Sequence, residues 1–414
     1  MEKICILALE SSTPTLGVAL LVVDERGHQH IYQRLHEGSS QHAEHVLPLV
    51  DELLLEAQLT RHELTAIAFG QGPGGFTGLR VACGVAQGMA LGLGIPVLPI
   101  SSLLAVAQAH RMEPFPFQVV MIDARMQELY IAAFAQATKG DQSYWQVIHP
   151  PALIEAQDVP AWLGEQIPHW GGAAAKLQIV GNGLQVCEDL GVKLDAFIKG
   201  PHSRPHVQHV AELGLQGWQR GEAIAPDLAA PIYVRNKVAF TVQERADGQG
   251  GNPSAAWVPV AVHALQAEHL AQIAAMDAQL QANPWSLDQL QASMQAGHQG
   301  WVLLHGDQVY AFLLFSVAGP VAELLLVGTD PAHQRKGYAT WLLEIWQAQA
   351  IQEGIEELQL EVRASNQQAQ RLYERFGFHK VGVRADYYPL PEGQREDAWL
   401  YSKPLYLVQQ TSNL

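Results

Sequence analysis

Cysteine is scarce in this chain, with Cys5, Cys83 and Cys187 the three among 414 residues. They are odd in number, lie far apart and form no CxxC. A disulfide framework and a zinc site are therefore not implied, no metal is expected, and a reducing, cytoplasmic location fits. Positive charge is scarce too: 25 Lys and Arg stand against 41 Asp and Glu, for a formal net charge of −16. That balance argues against a broad electropositive nucleic-acid footprint. Any tRNA is expected to be met only indirectly, through a partner that supplies the phosphate contacts. The opening MEKICILALE lacks a cationic segment followed by a long apolar one, so no signal peptide is readable. One uncharged stretch, Val81 to Ile100, is about as long as a membrane span. Gly84, Gly88, Gly92, Gly94 and Pro96 punctuate it, and Gly94-Ile95-Pro96 reads as a helix stop followed by a strand. A buried helix is expected, and no membrane partner.

What is present suits folded domains: 48% of residues are hydrophobic and 16% charged. The length exceeds what one core usually supports, so two or three domains are expected. Ile4 to Leu9, Leu16 to Val23 and His28 to His36 read as strands. Ala43 to Leu59 has helical spacing through Val46, Leu49, Val50, Leu53 and Leu54. A strand (66–69), a helix (78–93), a strand (95–100) and a helix (101–110) follow. This order predicts an α/β fold with a mixed sheet flanked by helices. A second block opens at Gln118 and returns through Leu129 to Phe134. Residues 241–259, TVQERADGQGGNPSAAWVP, are rich in Gly, Gln and Pro without periodicity and read as an interdomain linker. It would separate a domain at 1–240 from one at 260–414. No short internal repeat is readable.

In the second domain, the strand Glu323 to Val327 ends at Asp330-Pro331, and Gln334-Arg335-Lys336-Gly337-Tyr338-Ala339-Thr340 opens a helix. A strand, a glycine turn and a helix N-terminus make an anion site, where free N–H groups and the helix dipole point at the ligand. Further on, Leu358, Leu360 and Val362 alternate with Gln359, Glu361 and Arg363, so Glu361 is a carboxylate on the polar face of a strand. Asn366 precedes a helix that carries Ala369, Leu372, Tyr373 and Phe376 on one side, with Gly377 at its C′ position. By pattern alone Tyr373 is a core aromatic and Glu361 one half of an ion pair with Arg363.

These stretches, with RLYERFGF, RADYYP and GQREDAW, resemble the RimI family, the GNAT-fold acetyltransferases of the N-terminus of ribosomal protein S18. The match runs from Asn283-Pro284-Trp285-Ser286 almost to the end. The resemblance implies acetyl-CoA as cofactor and an α+β GNAT fold. It implies that Val327, Gly328 and Thr329 pair with the pantetheine arm, that Arg335, Lys336, Gly337, Tyr338, Ala339 and Thr340 hold the phosphates, and that Asn366 bonds the cofactor. It makes Glu361 the general base and Tyr373 the general acid. The acceptor is an α-amine with pKa near 8, mostly protonated at neutral pH, so a base is needed.

In the first domain, Gly70 to Arg80 reads GQGPGGFTGLR, after a strand and before a helix. It formally contains GxGxxG, but no acidic residue lies between Glu63 and Glu113, so the dinucleotide reading is rejected. Thr77 is the expected N-cap. A phosphate-facing turn and a plain tight turn both remain open. His42, Glu44 and His45 fit the polar first turn of a helix better than a metal site. Gly84, Gly88 and Gly92 form a smooth strip on a helix, fit for close approach of another helix or for packing within the domain.

LALESSTPTLGVAL, HAEHVLPLVDELL, GPGGFTGLR, MIDARMQELY and PIYVRNKVAF resemble the TsaB family, a subunit of the bacterial tRNA threonylcarbamoyladenosine machinery, over nearly all of 1–240. The resemblance implies the actin-like ATPase (ASKHA) fold with two ribonuclease-H-like lobes, and a non-catalytic scaffold that pairs with a TsaD-like catalytic subunit and a TsaE-like ATPase. The family usually carries Asp where this chain has Glu10. The expected function is therefore a fusion of scaffold and acetyltransferase. The rival readings are a lysine or small-amine acetyltransferase, a nucleotide-binding or hydrolysing first domain, and a pair of binding modules without catalysis.

Overall fold

The computed structural model describes residues 3–38, 41–111, 115–139, 142–170, 177–234, 260–334, 336–390 and 394–405. The expected linker at 241–259 lies outside the described residues. Two compact units are present, Met1–Thr138 with Ser143–Trp257 and Lys139–Gln142 with Val258–Leu414.

The first unit opens with an antiparallel meander, β1 Ile4–Glu10, β2 Thr15–Val23 and β3 Gln29–Glu37. Helix α1 His42–Glu56 leads to β4 Ala66–Gly72, which pairs parallel to β1. Helix α2 Phe76–Leu93 leads to β5 Val97–Ser101, parallel to β4, and α3 Ser102–Ala109 follows. The sheet order is β3-β2-β1-β4-β5. β1 is apolar on both sides because both faces are covered. Cys5, Leu7 and Leu9 meet α1 and α2 through Val46, Val50, Leu53, Ala82 and Ala86. Ile6 and Ala8 meet Val207, Val210 and Ala211 of a later helix. α1 is shorter than its apolar spacing suggested: Gln58 turns left-handed at φ 56°, and the Leu59 N–H closes onto Leu54 O.

The second lobe repeats the plan. It contains β6 Phe117–Arg125, β7 Glu128–Lys139, β8 Gln142–Glu155, α4 Val159–His169, β9 Leu177–Val180, α5 Gly183–Asp189 and β10 Ile198–Lys199, after which α6 Val207–Gln219 returns to cover the first sheet. Its order is β10-β9-β6-β7-β8, with β9 parallel to β6 and to β10. This is the first lobe's order again, the two-lobe ribonuclease-H-like plan of the actin-like ATPases. The stretch raised as a membrane candidate is α2 and the start of β5. α2 has the length and apolarity of a span, but Leu79, Ala82, Cys83, Ala86 and Ala90 are buried in this fold.

The second unit is one seven-stranded sheet, ordered β11-β12-β13-β14-β15-β17-β16. Its elements are β11 Ala261–Ala264, α7 Leu270–Leu280, α8 Leu287–Gln295, β12 Gln299–His305, β13 Gln308–Ala318, β14 Val321–Thr329, α9 Tyr338–Gln352, β15 Glu357–Arg363, α10 Gln367–Arg375, β16 His379–Pro389 and β17 Arg395–Pro404. β13 is buried on both faces. Ala311, Leu313 and Phe315 pack with Trp341, Leu342 and Trp346 of α9, while Phe312 and Leu314 pack with Leu270, Ile273 and Leu290 of α7 and α8. This is the GNAT α+β fold.

Candidate active site

Two of the glycine-bearing turns that start helices differ in their surroundings. In the first unit the N-cap of α2 is Gly75, and Thr77 lies inside the first turn. The helix starts early because the Gly75 N–H is held by Ser12 O at 2.7 Å. The hollow of this turn is filled by its own chain. A Cβ added at Gly78 would lie 1.7 Å from Ser11 O, one at Gly74 2.5 Å from Ser12 Cβ, and one at Gly70 2.2 Å from Glu10 Oε2. Ser11 Oγ donates to Gly78 O at 2.7 Å. Glu10 is 1% exposed. Its Oε1 accepts from Ser12 N at 2.7 Å and its Oε2 from Ser102 Oγ at 2.9 Å. Burial holds its carboxyl above the usual carboxylate range, against the pull of those hydrogen bonds. Of the two readings left open, the tight turn is the one the packing supports.

In the second unit, Gly337 is the N-cap of α9, left-handed at φ 83°, with no side-chain cap, and a Cβ there would meet nothing within 4 Å. Only glycine adopts that conformation without strain. The turn is braced from behind. Asp330 Oδ1 accepts from Ala332 N at 2.8 Å and lies 3.2 Å from His333 Nδ1, and the His333 ring stacks on Tyr310 with centroids 3.9 Å apart. The Tyr338 side chain is buried in the core, where desolvation and then Tyr310 push its phenol up to about 12, so what it offers the turn is its main chain. Ala339 and Thr340 follow in the first turn of α9, and Lys336 precedes Gly337 half-buried. Arg335 lies outside the described residues.

Beside this turn the sheet opens. β14 and β15 pair in parallel from Val321↔Glu357 to Leu324↔Leu360 and no further. A register irregularity then carries β14 away, and Val327, Gly328 and Thr329 continue along β13 opposite Leu313, Phe312 and Ala311. β15 meanwhile follows β17. Among the described residues, Val327 to Thr329 have no strand partner on the side facing β15. Such an edge offers main-chain N–H and C=O groups to an extended ligand.

Across the opening lies Glu361, on the polar face of β15 with its side chain 14% exposed. It forms an ion pair, but not with Arg363 as the simple pattern suggested. Arg363 Nη1 is 2.7 Å from Glu396 Oε1, and Arg384 Nη1 is 2.8 Å from Glu361 Oε1. The reason is register: Glu361 and Arg363 are neighbours along one strand face, whereas β17 and β16 bring partners from the side. Tyr388, under the Arg363 guanidinium at 4.4 Å, is pushed up to about 12 by burial and then by Glu361. Tyr373 on α10 is 6% exposed and packs edge-on against Phe378. Burial, and then Tyr388, hold its phenol far above the ordinary range. Its ring is thus a core aromatic, and its hydroxyl stays protonated at neutral pH. Asn366 caps α10, its Oδ1 accepting from Ala369 N at 3.1 Å, so its amide nitrogen is the end left for a ligand. The loop after α7 is tied to the same end of the sheet. Asn283 Nδ2 donates to Pro389 O at 2.8 Å, and buried Asp277 accepts from Trp285 N at 2.8 Å. Arg384, Tyr388 and Asp277 carry no separate signal in the sequence, where RADYYP stands out only as a family stretch.

His42 and His45 are engaged elsewhere. His42 Nε2 is 3.1 Å from Pro14 O, and His45 stacks on His36 at 3.9 Å. The glycine strip is open: Cβ atoms at Gly84, Gly88 and Gly92 would meet nothing within 4 Å, so it is not an internal packing surface among the described residues.

The family model for TsaD, tRNA N6-adenosine threonylcarbamoyltransferase, matches residues 36–239, and that for the GNAT acetyltransferase family matches 266–378. The first part is similar to the tRNA threonylcarbamoyladenosine biosynthesis protein TsaB of Haemophilus influenzae, 43% identical over 58% of this chain and 97% of that one. The last part is similar to the ribosomal protein bS18-alanine N-acetyltransferase of Haemophilus ducreyi, 38% identical over 30% of this chain and 84% of that one. An uncharacterized protein of Mycobacterium leprae is similar along both parts, 24% identical over 93% of this chain and 95% of its own length.

Proposed function

We propose a two-part function from the premise that the chain belongs to two families, TsaB through its first part and the GNAT-fold bS18-alanine N-acetyltransferases through its second. The domains are taken as 1–240 and 260–414, joined by 241–259. The second is an acetyl-CoA-dependent N-acetyltransferase acting on the N-terminal alanine of a bS18-type protein. The first is a scaffold, not catalytic alone, for tRNA threonylcarbamoyladenosine synthesis in the cytoplasm. It works with a TsaD-like catalytic subunit and a TsaE-like ATPase, and tRNA is met through those partners.

The observation that carries the acetyltransferase reading is the opening between β14 and β15 beside an unobstructed helix N-terminus. The residues fit acetyl-CoA. Val327 to Thr329 offer a free strand edge to its pantetheine arm. The main chain from Lys336 to Thr340 would meet its phosphates, Arg335 is assigned the same role from sequence, and the Asn366 amide would add a donor. Bound there, acetyl-CoA supplies an acetyl thioester. Glu361 accepts the proton of the acceptor's α-amine, directly or through a water, as the amine attacks the acetyl carbon. Tyr373 Oη gives a proton to the departing sulfur. Its position well above the ordinary phenol range keeps that proton available at neutral pH.

For the scaffold role, the exposed strip Gly84, Gly88, Gly92 on α2 and the exposed Leu47 on α1 offer a surface for two partner helices. The test is affinity capture with the tagged full chain, together with acetylation of peptides that differ in their N-terminus. Recovery of TsaD and faster acetylation of a bS18-type alanine terminus than of lysine or small amines is expected. Preference for a lysine or a small amine, or ATP turnover by the chain alone, would replace the corresponding half.

A further inference from the structure

Arg384 stands two strands away from Glu361, yet touches it. Glu361 lies opposite Leu400 on β17, and Leu400 lies opposite Gly382 on β16. Two inter-strand steps are roughly 9–10 Å, within reach of an extended arginine. Gly382, directly in line, has no side chain to stand in the way. Arg384, two residues along, crosses the middle strand and brings Nη1 to 2.8 Å from Glu361 Oε1. It is the last residue in register before β16 departs from β17, and Tyr388 is the first after the irregularity. Bulged edge strands re-aim side chains in this way.

The groups around Glu361 leave Arg384 as its counter-ion. From its own strand, Arg363 is committed to Glu396 of β17 at 2.7 Å and to the Tyr388 ring. Tyr388 of β16 and, behind it, Tyr373 of α10 are neutral phenols at physiological pH. The Glu361 side chain is 14% exposed and the Arg384 side chain 53%, with the Arg384 guanidinium also 5.4 Å from the centre of the Tyr387 ring.

We infer that Arg384 is a positioning residue for acetyl transfer: it holds the Glu361 carboxylate turned toward the open face of the sheet. This rests on the reading of Glu361 as the base. Without the guanidinium the carboxylate is free to swing, so turnover should suffer more than affinity for the acceptor.

The test uses the full chain, saturating acetyl-CoA and a peptide with an N-terminal alanine. kcat and KM for the peptide are measured for the wild type, Arg384→Met and Arg384→Lys. In Arg384→Met kcat should fall by about tenfold with KM little changed, and Arg384→Lys should recover most of the loss. A contact that serves only stability would lower the melting temperature and leave the kcat of the folded protein unchanged. A wild-type kcat for the folded Arg384→Met protein overturns the inference. Glu361→Gln separates the two ideas. If it is inactive and Arg384→Met keeps the wild-type kcat, only the role of Arg384 fails. If Glu361→Gln turns over like the wild type, the base assignment fails and this inference falls with it.

Discussion

Two turns in this protein look alike as sequence, GQGPGGFTGLR and QRKGYA, and each runs from a strand into a helix. In the first, the glycines are required because the β1–β2 hairpin presses into the turn: Ser11 and Ser12 occupy the space side chains would need, and Ser12 O takes the Gly75 N–H. In the second, nothing lies within 4 Å of where a side chain would project. Two carboxylates repeat the contrast. Glu10 ends a strand with both oxygens consumed inside the fold, while Glu361 sits in mid-strand at an open wedge, held by one exposed arginine. A glycine turn or a strand carboxylate is thus a ligand site only where the chain leaves the space unfilled.

The contrast can be broken most forcefully at Gly78. Gly78→Ala places a methyl 1.7 Å from a backbone oxygen that cannot move aside, and should cost the first unit about 3 kcal/mol or more. Thermal unfolding measures it, and a melting temperature unchanged from the wild type would mean the turn is not packed as described. Next in size is chemistry in the second unit. Glu361→Gln and Tyr373→Phe keep shape and packing and should each lower kcat by about 10²-fold with little loss of stability. A fully active Tyr373→Phe would leave that ring a core aromatic and nothing more.

Gly88→Leu sharpens the difference between filled and open glycines on one helix. Its surroundings are empty, and leucine favours helix over glycine by up to about 1 kcal/mol, so the fold should hold or gain. Co-purification with TsaD should nevertheless be lost while acetyl transfer continues. Retained capture by the folded variant would place the partner surface elsewhere. The smallest effect is expected at Glu10. Its carboxyl is raised in the folded state, so the folded protein holds a proton that the unfolded chain releases above 4.5. That contribution is present below this pH and fades as pH rises toward the folded value. Glu10→Gln should therefore gain in melting temperature relative to the wild type as pH climbs through that window. A gap that stays constant with pH would show that Glu10 does not titrate with folding.

Much of this was readable beforehand. The period-2 pattern of 357–363 gave β15 and its buried Leu358, Leu360 and Val362, and Gly377 does follow α10 in the left-handed region at φ 89°. Three things were not. The duplicated lobe order left no repeat in the sequence, because strand order is kept by hydrogen bonding and both faces of each sheet accept any apolar residue that fits. The α2 start could not be placed, because Ser12 O, more than sixty residues upstream, decides it. The partner of Glu361 could not be named either, since spacing along one strand says nothing about a side chain arriving from two strands away.

Calorimetric titration of acetyl-CoA into the full chain and its Gly337→Asp variant tests the account most directly. The turn has room for the new side chain, and aspartate is among the residues that tolerate the left-handed region best, so the protein should remain folded at a cost of about 1 kcal/mol, while a carboxylate set against the phosphate position should abolish binding. Binding to the wild type with no detectable heat for the folded variant is the predicted result. Equal affinity in the two proteins would contradict it, and would mean that the open turn before α9 is not where the cofactor binds.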